Sequence, residues 1–231
     1  MRELVAPGDT AVDIDANWGL DTIGLSSLVG RHGHVAAFVE PGPALHALRA
    51  ACRRSANVEI YALALSDRNG TARMEVPIVS DSPASALAYI VEPAPGDQSS
   101  VEIALARLDD LEIVQRARLR FVKCDVEGHE DAVLRGGEQS IRESMPALLV
   151  ELEERHRQRP VSDAFELLES WGYVGCALTA NGLAPLGQFD LDRDQRAHLV
   201  GGELPIPTPP GYVNDFVFTE PREWSRASGA S

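Results

Sequence analysis

The segment Lys123-Cys-Asp-Val-Glu-Gly-His-Glu-Asp131 decides the fold of this chain of 231 residues. It follows an apolar run at residues 119–122, which predicts a buried strand, and it leads into a predicted helix. Asp125, Glu127 and His129 are therefore expected at the carboxyl end of a strand, which is where open α/β sheets bind their ligands. Because charged groups are costly to bury, such a cluster is solvated, paired or used on a substrate.

Strand and helix patterns alternate along most of the chain, which is typical of an α/β fold with a Rossmann-like sheet and helices on both faces. We expect seven strands, mostly parallel, with the last two as candidates for an antiparallel edge pair. The predicted strands of this sheet lie at residues 10–14, 34–39, 58–62, 119–123, 147–151, 173–178 and 215–219. The predicted helices lie at residues 20–29, 43–52, 130–134 and 162–171. Ser162 is the expected N-cap of the last helix and Gly172 its stop.

The alternation is interrupted between residues 66 and 108. A turn at residues 67–70 and two further strands, 71–76 and 101–105, are predicted there. A loop rich in Pro, Ser and Ala, residues 79–100, lies between these strands. We expect this loop to be a mobile cover or a substrate loop.

The composition argues against several classes of function. The chain carries 21 basic and 35 acidic residues, a net charge of −14, which disfavours a nonspecific grip on nucleic acid or on an anionic membrane. No stretch predicts a signal peptide or a transmembrane helix, and the three cysteines form no CxxC pair. We therefore expect a cytoplasmic protein without a metal site, with one domain at residues 1–220 and a disordered tail at residues 221–231.

The turn after the first predicted strand, Ala11-Val-Asp-Ile-Asp-Ala-Asn-Trp-Gly19, is where doubly wound folds hold a nucleotide-like cofactor. A dinucleotide would place its pyrophosphate on the bare amides of a glycine-rich turn, but Asp13 and Asp15 would repel it. S-adenosylmethionine instead carries a sulfonium and an ammonium group, for which neighbouring carboxylates are favourable. Glu40, at the end of the second strand, suits the ribose hydroxyls of either cofactor. The acidic turn therefore favours S-adenosylmethionine.

Together the two motifs resemble the FkbM family of S-adenosylmethionine-dependent methyltransferases. The family pattern D-x-G-A-N-x-G-x-x-[ST] is matched at Asp13, Ala16, Asn17, Gly19 and Thr22. Further family patterns are matched by Glu40-Pro41, by Ala64-Leu-Ser-Asp67 with Gly70, by Leu108 to Leu111, by the block from Lys123 through Gly136, by Glu151 and by Gly172-Tyr173. The likeness extends from Val5 to Phe218, which is nearly the whole chain.

The resemblance implies a class I methyltransferase fold and methylation of a hydroxyl group on a small molecule, such as a sugar or a natural-product scaffold. We expect the cofactor S-adenosylmethionine to be bound by Asp13, Asp15, Asn17, Gly19, Thr22, Glu40, Ser66 and Asp67. Asp125 and Glu127 are expected to face the transferred methyl group and the acceptor. A hydroxyl acceptor must lose a proton, which one of these carboxylates or His129 could take.

Asp15 stands where the family pattern has glycine. Glycine lets the methionyl part of the cofactor lie against the backbone, whereas a side chain narrows that space. The second carboxylate would either repel the carboxylate of the cofactor or hold its ammonium group. Asp15 therefore keeps open a binding or assembly module without catalysis, and the doubly wound sheet keeps open a nucleotide-dependent oxidoreductase. A homodimer is also left open, since a partner subunit could cover the site.

Overall fold

The computed structural model describes residues 1–75, 78–79, 82–83, 89–91 and 100–221. In chain order the strands are β1 (Thr10–Ile14), β2 (His34–Phe38), β3 (Val58–Tyr61), β4 (Ala64–Leu65), β5 (Gly70–Glu75), β6 (Ile78–Val79), β7 (Ser82–Pro83), β8 (Tyr89–Val91), β9 (Ser100–Ala106), β10 (Leu119–Cys124), β11 (Ala147–Glu151), β12 (Val174–Thr179), β13 (Gly182–Pro185) and β14 (Asp215–Thr219). The helices are α1 (Leu20–Val29), α2 (Pro43–Ala51), α3 (Glu112–Arg116), α4 (Glu130–Gly136), α5 (Glu138–Ser144), α6 (Val161–Ser170) and α7 (Leu191–Asp194).

The main sheet has the strand order β13-β12-β14-β11-β10-β1-β2-β3, which makes eight strands within the described ranges. The strands from β3 to β11 in this order run parallel, and β14 is antiparallel to both of its neighbours. The predicted Rossmann-like, mostly parallel sheet is confirmed. Its strand count is one higher than expected because β13 pairs with β12. The expected edge pair is wrong in one respect, since β14 is inserted between β11 and β12 and leaves β13 at the edge.

The central strands are apolar because helices cover them on both faces. Successive residues of a strand point to opposite faces of the sheet. Phe121 in β10 packs with Leu25 of α1 on one face, whereas its neighbour Val122 packs in the core that contains Leu134 of α4. Every residue of β1 is buried. This packing fixes the strand ends that carry the polar side chains of the site.

A second sheet, with the order β4-β9-β5-β8, is formed by the segment that interrupts the alternation. Met74, Ile103 and Leu105 form its small core. Met74 also lines a cavity against Phe38 of β2, so the second sheet lies over one end of the main sheet. The predicted cover loop falls mostly outside the described residues, as does the predicted tail apart from Pro221.

The start of α6 differs from the prediction. The helix begins at Val161 with Pro160 as its N-cap, so Ser162 lies inside the helix. The carboxylate of Glu154 accepts a hydrogen bond from the Val161 backbone N–H at 3.0 Å. A side chain from an earlier turn therefore satisfies the helix terminus, and the prediction that Ser162 caps it is wrong.

The three cysteines are free thiols, and all of them are buried: Cys52, Cys124 and Cys176. Within the described ranges, none of the helices combines the length and the apolar character needed to cross a membrane.

Two glycines allow neighbouring segments to pack directly on the two ends of α4. A Cβ on Gly136 would overlap the carbonyl group of Ser66, and a Cβ on Gly128 would overlap the carbonyl group of His156. Gly128 also has a left-handed backbone, with φ of +94°. The end of β4 and the segment after β11 are thereby held against the helix that follows β10.

Gly136→Ala is expected to destabilise the protein by about 1–3 kcal/mol, because the backbone around Ser66 must move to admit the methyl group. The matched control is Gly24→Ala in α1, where nothing lies within 4 Å of the added Cβ. Alanine there favours the helix by about 0.5–1 kcal/mol. Chemical denaturation of both variants gives the free energies of unfolding. Equal stabilities would show that Gly136 and Ser66 are not in close contact.

Candidate active site

The topology of the sheet gathers acidic side chains at one edge. The carboxyl ends of parallel strands meet there, and Asp13 of β1 is the direct neighbour of Lys123 in β10. Because β14 runs in the opposite direction, its first residue, Asp215, pairs with Glu151 at the end of β11. We call the following carboxylates the acidic edge: Asp13, Asp15, Glu40, Asp125, Glu127, Glu151, Glu153 and Asp215.

Asp13 is fully buried at the end of β1. One of its oxygens accepts a hydrogen bond from the Thr22 hydroxyl at 2.5 Å, whereas Oδ1 has no hydrogen-bond partner. Burial raises the pKa of Asp13 to about 6, against the opposing charge of Lys123. Thr22 is itself buried, so its hydroxyl serves to orient Asp13. The carboxylate is thus held in place with one oxygen left for a further partner.

Lys123 supplies positive charge to the acidic edge. Its ammonium group lies 2.9 Å from Asp125 and 3.7 Å from Asp21, and its side chain is only 12% exposed. Burial alone would lower the pKa of Lys123, but the charges of Asp125 and Asp13 raise it above its ordinary value. Lys123 is therefore ionised and balances part of the negative charge around it.

The turn after β1 has a left-handed backbone at three positions. Asp15, Asn17 and Gly19 have φ values of +58°, +44° and +88°, a conformation that is unfavourable for residues with a Cβ. Burial and the negative charge of Glu40 raise the pKa of Asp15 well above its ordinary value. At Gly19 a Cβ would lie 2.7 Å from Leu48 of α2. Glycine at that position therefore allows α1 and α2 to approach each other.

A small cavity lies between the main sheet and the second sheet. Its lining includes Asp15, Phe38, Glu40, Met74 and His129. Its volume is about 20 Å³, which is room for one water molecule. Burial raises the pKa of Glu40 above its ordinary value. The cavity between Phe38 and Met74 is too small for a group larger than one water molecule.

His129 lines this cavity and contacts Ser66. Its Nε2 atom is 3.0 Å from the Ser66 hydroxyl oxygen, and that oxygen is 3.3 Å from a carboxylate oxygen of Asp67. Burial lowers the pKa of His129. The structure thus brings these three expected site residues together. The catalytic role of His129 and the cofactor contacts of Ser66 and Asp67 stay predictions.

A second charged group joins Glu127 to the segment that follows β11. Nε2 of His156 lies 3.1 Å from Glu127 and 3.4 Å from Glu153, and Arg155 forms a close ion pair with Glu153. Burial raises the pKa of Glu127 to about 7, with the charge of His156 opposing it. Burial would also raise the pKa of Glu153, but the contacts with His156 and Arg155 lower it to about 2. Glu153 is therefore ionised, whereas Glu127 exchanges protons near neutral pH.

Glu151 and Asp215 lie at the far end of the acidic edge. The side-chain amide of Asn214 donates hydrogen bonds to Glu151 at 2.7 Å and to Glu153 at 3.0 Å. Burial and the charges of Asp125 and Asp215 raise the pKa of Glu151 to about 9. Burial raises the pKa of Asp215 as well. Glu151 is therefore protonated at neutral pH and can itself donate a hydrogen bond.

The sequence patterns do not identify three residues of the site: Lys123, His156 and Asp215. Lys123 stands two residues before Asp125, so the two-residue period of a strand could have placed both side chains on one side. Glu153 and His156 follow the end of β11, and this position is a weaker indication that their side chains belong to the site. Asp215 depends on the direction of β14, which no local pattern gives. Across the part of the chain that the structure describes, no grouping of His, Cys, Asp and Glu is suited to a metal ion.

The chain is similar to known methyltransferases. The family model for the methyltransferase FkbM domain matches residues 13–174, and the comparison with curated proteins found no match. The solved structure of methyltransferase FkbM from Methylobacillus flagellatus has a TM-score of 0.58 and 17% identity, over 91% of this chain and 43% of that chain. A candidate rRNA methylase from Clostridium thermocellum has a TM-score of 0.51 and 11% identity, over 94% of this chain and 89% of that one. Precorrin-6y C5,15-methyltransferase from Geobacter metallireducens has a TM-score of 0.49 and 13% identity, over 95% of this chain and 85% of that one. The chain thus spans less than half of the Methylobacillus protein, and the first two likenesses show the fold of a class I methyltransferase.

Glu151→Gln is expected to stabilise the protein more at about pH 8 than at about pH 5. The pKa of Glu151 is raised from 4.5 to about 9 in the folded protein, so stability is lost as the pH rises between these values. Gln removes that loss, which should amount to at least about 1 kcal/mol, the equivalent of one pKa unit. Chemical denaturation at both pH values measures it. The control is Glu166→Gln on the exposed face of α6, and equal pH dependence in the two variants would contradict the burial of charge at Glu151.

Asp15→Gly is expected to raise the free energy of unfolding, since glycine adopts the left-handed backbone without the cost of about 1–2 kcal/mol that a Cβ brings. The greater freedom of glycine in the unfolded chain offsets about 0.5–1 kcal/mol of this gain. Because the folded-state pKa of Asp15 is raised, the gain should grow as the pH rises above the ordinary value of 3.8. Asp15→Asn, which removes only the charge, should reproduce the pH-dependent part. A loss of stability in both variants would show that the carboxylate supports the turn.

Proposed function

The chain belongs to the methyltransferase FkbM family, and from this premise we propose that it transfers a methyl group from S-adenosylmethionine to a hydroxyl group of a small molecule. The observation that carries the proposal is the buried carboxylate of Asp13, which keeps one oxygen without a partner at the end of β1. A buried carboxylate in this state is stabilised by a cationic ligand.

The acidic edge fits the charges of that cofactor. The cofactor presents an ammonium group and a sulfonium group, and Asp13, Asp15 and Asp125 lie at or directly after the ends of β1 and β10. The pKa values of Asp13 and Asp15 are raised because their burial is only partly compensated by positive charge. A bound cation would favour their ionised forms. A pyrophosphate would add negative charge at the same place, which disfavours the oxidoreductase.

Glu40 is proposed to hold the ribose of the cofactor. Its two carboxylate oxygens can accept hydrogen bonds from two neighbouring hydroxyl groups. Phe38 is stacked on Tyr61 with ring centroids 4.8 Å apart, which gives the cavity beside Glu40 a firm apolar wall. Since that cavity has a volume of about 20 Å³, adenine requires more space than it offers. We therefore infer that the cavity widens on cofactor binding.

The acceptor is proposed to lie beside Asp125 and Glu127. When bound, the cofactor supplies an electrophilic methyl group, and the transfer requires an acceptor oxygen in line with it. Asp125 is fixed by Lys123 at 2.9 Å, and Glu127, with a pKa of about 7, can exchange a proton near neutral pH. The net charge of −14 favours a small-molecule acceptor over RNA, because RNA needs compensating positive charge.

Calorimetric titration with S-adenosylhomocysteine tests the cofactor site. We expect micromolar binding by the intact protein and a loss of about tenfold in Glu40→Ala, the value of one good hydrogen-bonded contact. Glu166→Gln, which changes an exposed glutamate on α6, should bind like the intact protein. If the intact protein does not bind S-adenosylhomocysteine, the data favour a binding or assembly module that uses no cofactor. If Glu40→Ala binds equally well, the ribose is held elsewhere.

Transfer from methyl-labelled S-adenosylmethionine tests the acceptor class. Methyl glucoside and catechol represent sugar and phenol hydroxyls, and a ribosomal RNA fragment represents the nucleic-acid alternative. We expect an alkali-stable methyl ether on one of the two small molecules and no label in the RNA. Label in the RNA alone would overturn the proposed acceptor class while leaving the cofactor assignment in place.

A further inference from the structure

We propose that His156 is the base that takes the proton from the acceptor hydroxyl, and that it does so through Nδ1. This inference rests on the proposed function, since it requires a hydroxyl acceptor. His156 ends the short 3-10 turn Glu154–His156 that follows β11. It therefore stands at the same edge of the sheet as Glu127, which follows β10.

The contacts of the imidazole decide which nitrogen is free. Nε2 lies 3.1 Å from Glu127 and 3.4 Å from Glu153. It is buried and makes no hydrogen bond within the described residues, so its contacts with the two carboxylates are electrostatic, and the side chain as a whole keeps 25% of its surface exposed. A lone pair on Nε2 would be repelled by two carboxylates, so Nε2 carries the ring proton. In the neutral ring the free lone pair is then on Nδ1.

The backbone holds this imidazole in place relative to the end of β10. The carbonyl group of His156 packs directly against Gly128. The next residue, Arg157, is only 2% exposed and forms ion pairs with Glu130 at 2.6 Å and Asp131 at 2.9 Å. The segment after β11 is thus fixed to the start of α4. A base must be held in a defined position to act on a bound hydroxyl, and this packing provides that.

Glu127, which contacts His156, has an unfavourable backbone conformation. Its φ is +49°, and residues in sparsely populated conformations cost about 1–3 kcal/mol and persist at sites where the surroundings fix them. Glu127 precedes Gly128, so the same tight turn aims the carboxylate and admits the carbonyl group of His156. This turn therefore brings both Glu127 and Gly128 into contact with His156.

Charged groups from three segments surround the ring of His156. Arg155 pairs with Glu153, and Tyr212, from the segment before β14, contacts both of them. Asp125 adds negative charge on the side of Glu127. The imidazole of His156 lies between the carboxylates of Glu127 and Glu153.

The proposed step balances in atoms and electrons. The acceptor oxygen forms a bond to the methyl carbon as the carbon–sulfur bond breaks, and the electron pair of that bond stays on sulfur. The hydroxyl proton passes to Nδ1 of His156. The imidazolium then releases a proton to solvent, which returns the neutral ring.

The other candidate bases are less suited to this step. Glu127 is 14% exposed and already faces Nε2 of His156. His129 has its Nε2 atom 3.0 Å from the Ser66 hydroxyl and lines the cavity beside Glu40. His156 combines an Nε2 atom 3.1 Å from Glu127 with a side chain that is 25% exposed.

Labelling with diethyl pyrocarbonate tests the free nitrogen without cofactor or acceptor. The reagent acylates an accessible, unprotonated imidazole nitrogen, and peptide mass spectrometry resolves each histidine. We expect His156 to react at least as fast as His46, which is exposed on α2. A His156 that stays unlabelled until the protein unfolds would overturn the proposal.

Kinetics of His156→Gln separate a base from a structural residue. With whichever of methyl glucoside and catechol the intact protein methylates, kcat should fall by about 100-fold or more. KM and the affinity for S-adenosylhomocysteine should stay within about twofold, since the residue does not bind the cofactor. Free imidazole should restore part of the activity of His156→Ala, and His46→Gln should behave like the intact protein.

The two proposals can fail separately. If the intact protein binds no S-adenosylhomocysteine, the proposed function fails, whatever the labelling shows. If it methylates a probe and His156→Gln retains more than half of kcat, only the role of His156 fails. If neither probe is methylated, the labelling rates of His156 and His46 still decide whether the imidazole has a free and activated nitrogen.

Discussion

Negative charges accumulate at one edge of this sheet. The ion pair between Lys123 and Asp125, 2.9 Å apart, compensates part of their repulsion. The register places Lys123 beside Asp13 on the neighbouring strand, so one ammonium group serves carboxylates from two strands. Without it, the burial of Asp13 would lack its nearby opposing charge. The compensation is still incomplete, as the raised pKa values of Asp13 and Glu151 indicate. A cationic ligand is the natural complement to such an edge.

The environment divides the carboxylates into two kinds, although they are chemically alike. Glu151 and Glu153 are two residues apart, yet the pKa of one is raised to about 9 and that of the other is lowered to about 2. Glu153 has Arg155 and His156 as partners, whereas Glu151 faces other acids. Pairs of acidic groups driven apart in this way are a common feature of sites that move protons. Here the contrast lies at the end proposed for the acceptor.

The local parts of this structure could be predicted from sequence, and the long-range parts could not. The bounds of β1, α1 and β11 agree with the prediction because apolar periodicity and flanking Gly and polar residues mark them. β13 escapes prediction, since a half-exposed strand of four residues that ends in proline has no such pattern. The same division holds for the site. Asp125 and Glu127 follow from their position after a strand, whereas the contact of His156 with Glu127 joins residues from two strand ends and exists only after the sheet has formed.

The burial of Arg157 constrains how this protein can be re-engineered or can diverge. Its ion pairs tie the segment after β11 to α4, across 26 and 27 positions of sequence. A transplanted loop that omitted Arg157 would leave Glu130, itself 2% exposed, as a buried charge without its partner, which costs about 3–5 kcal/mol. The segment after β11 and the start of α4 therefore have to be replaced together. A chimera designed to replace this part of the chain would have to import both segments together, or end its graft before Arg157.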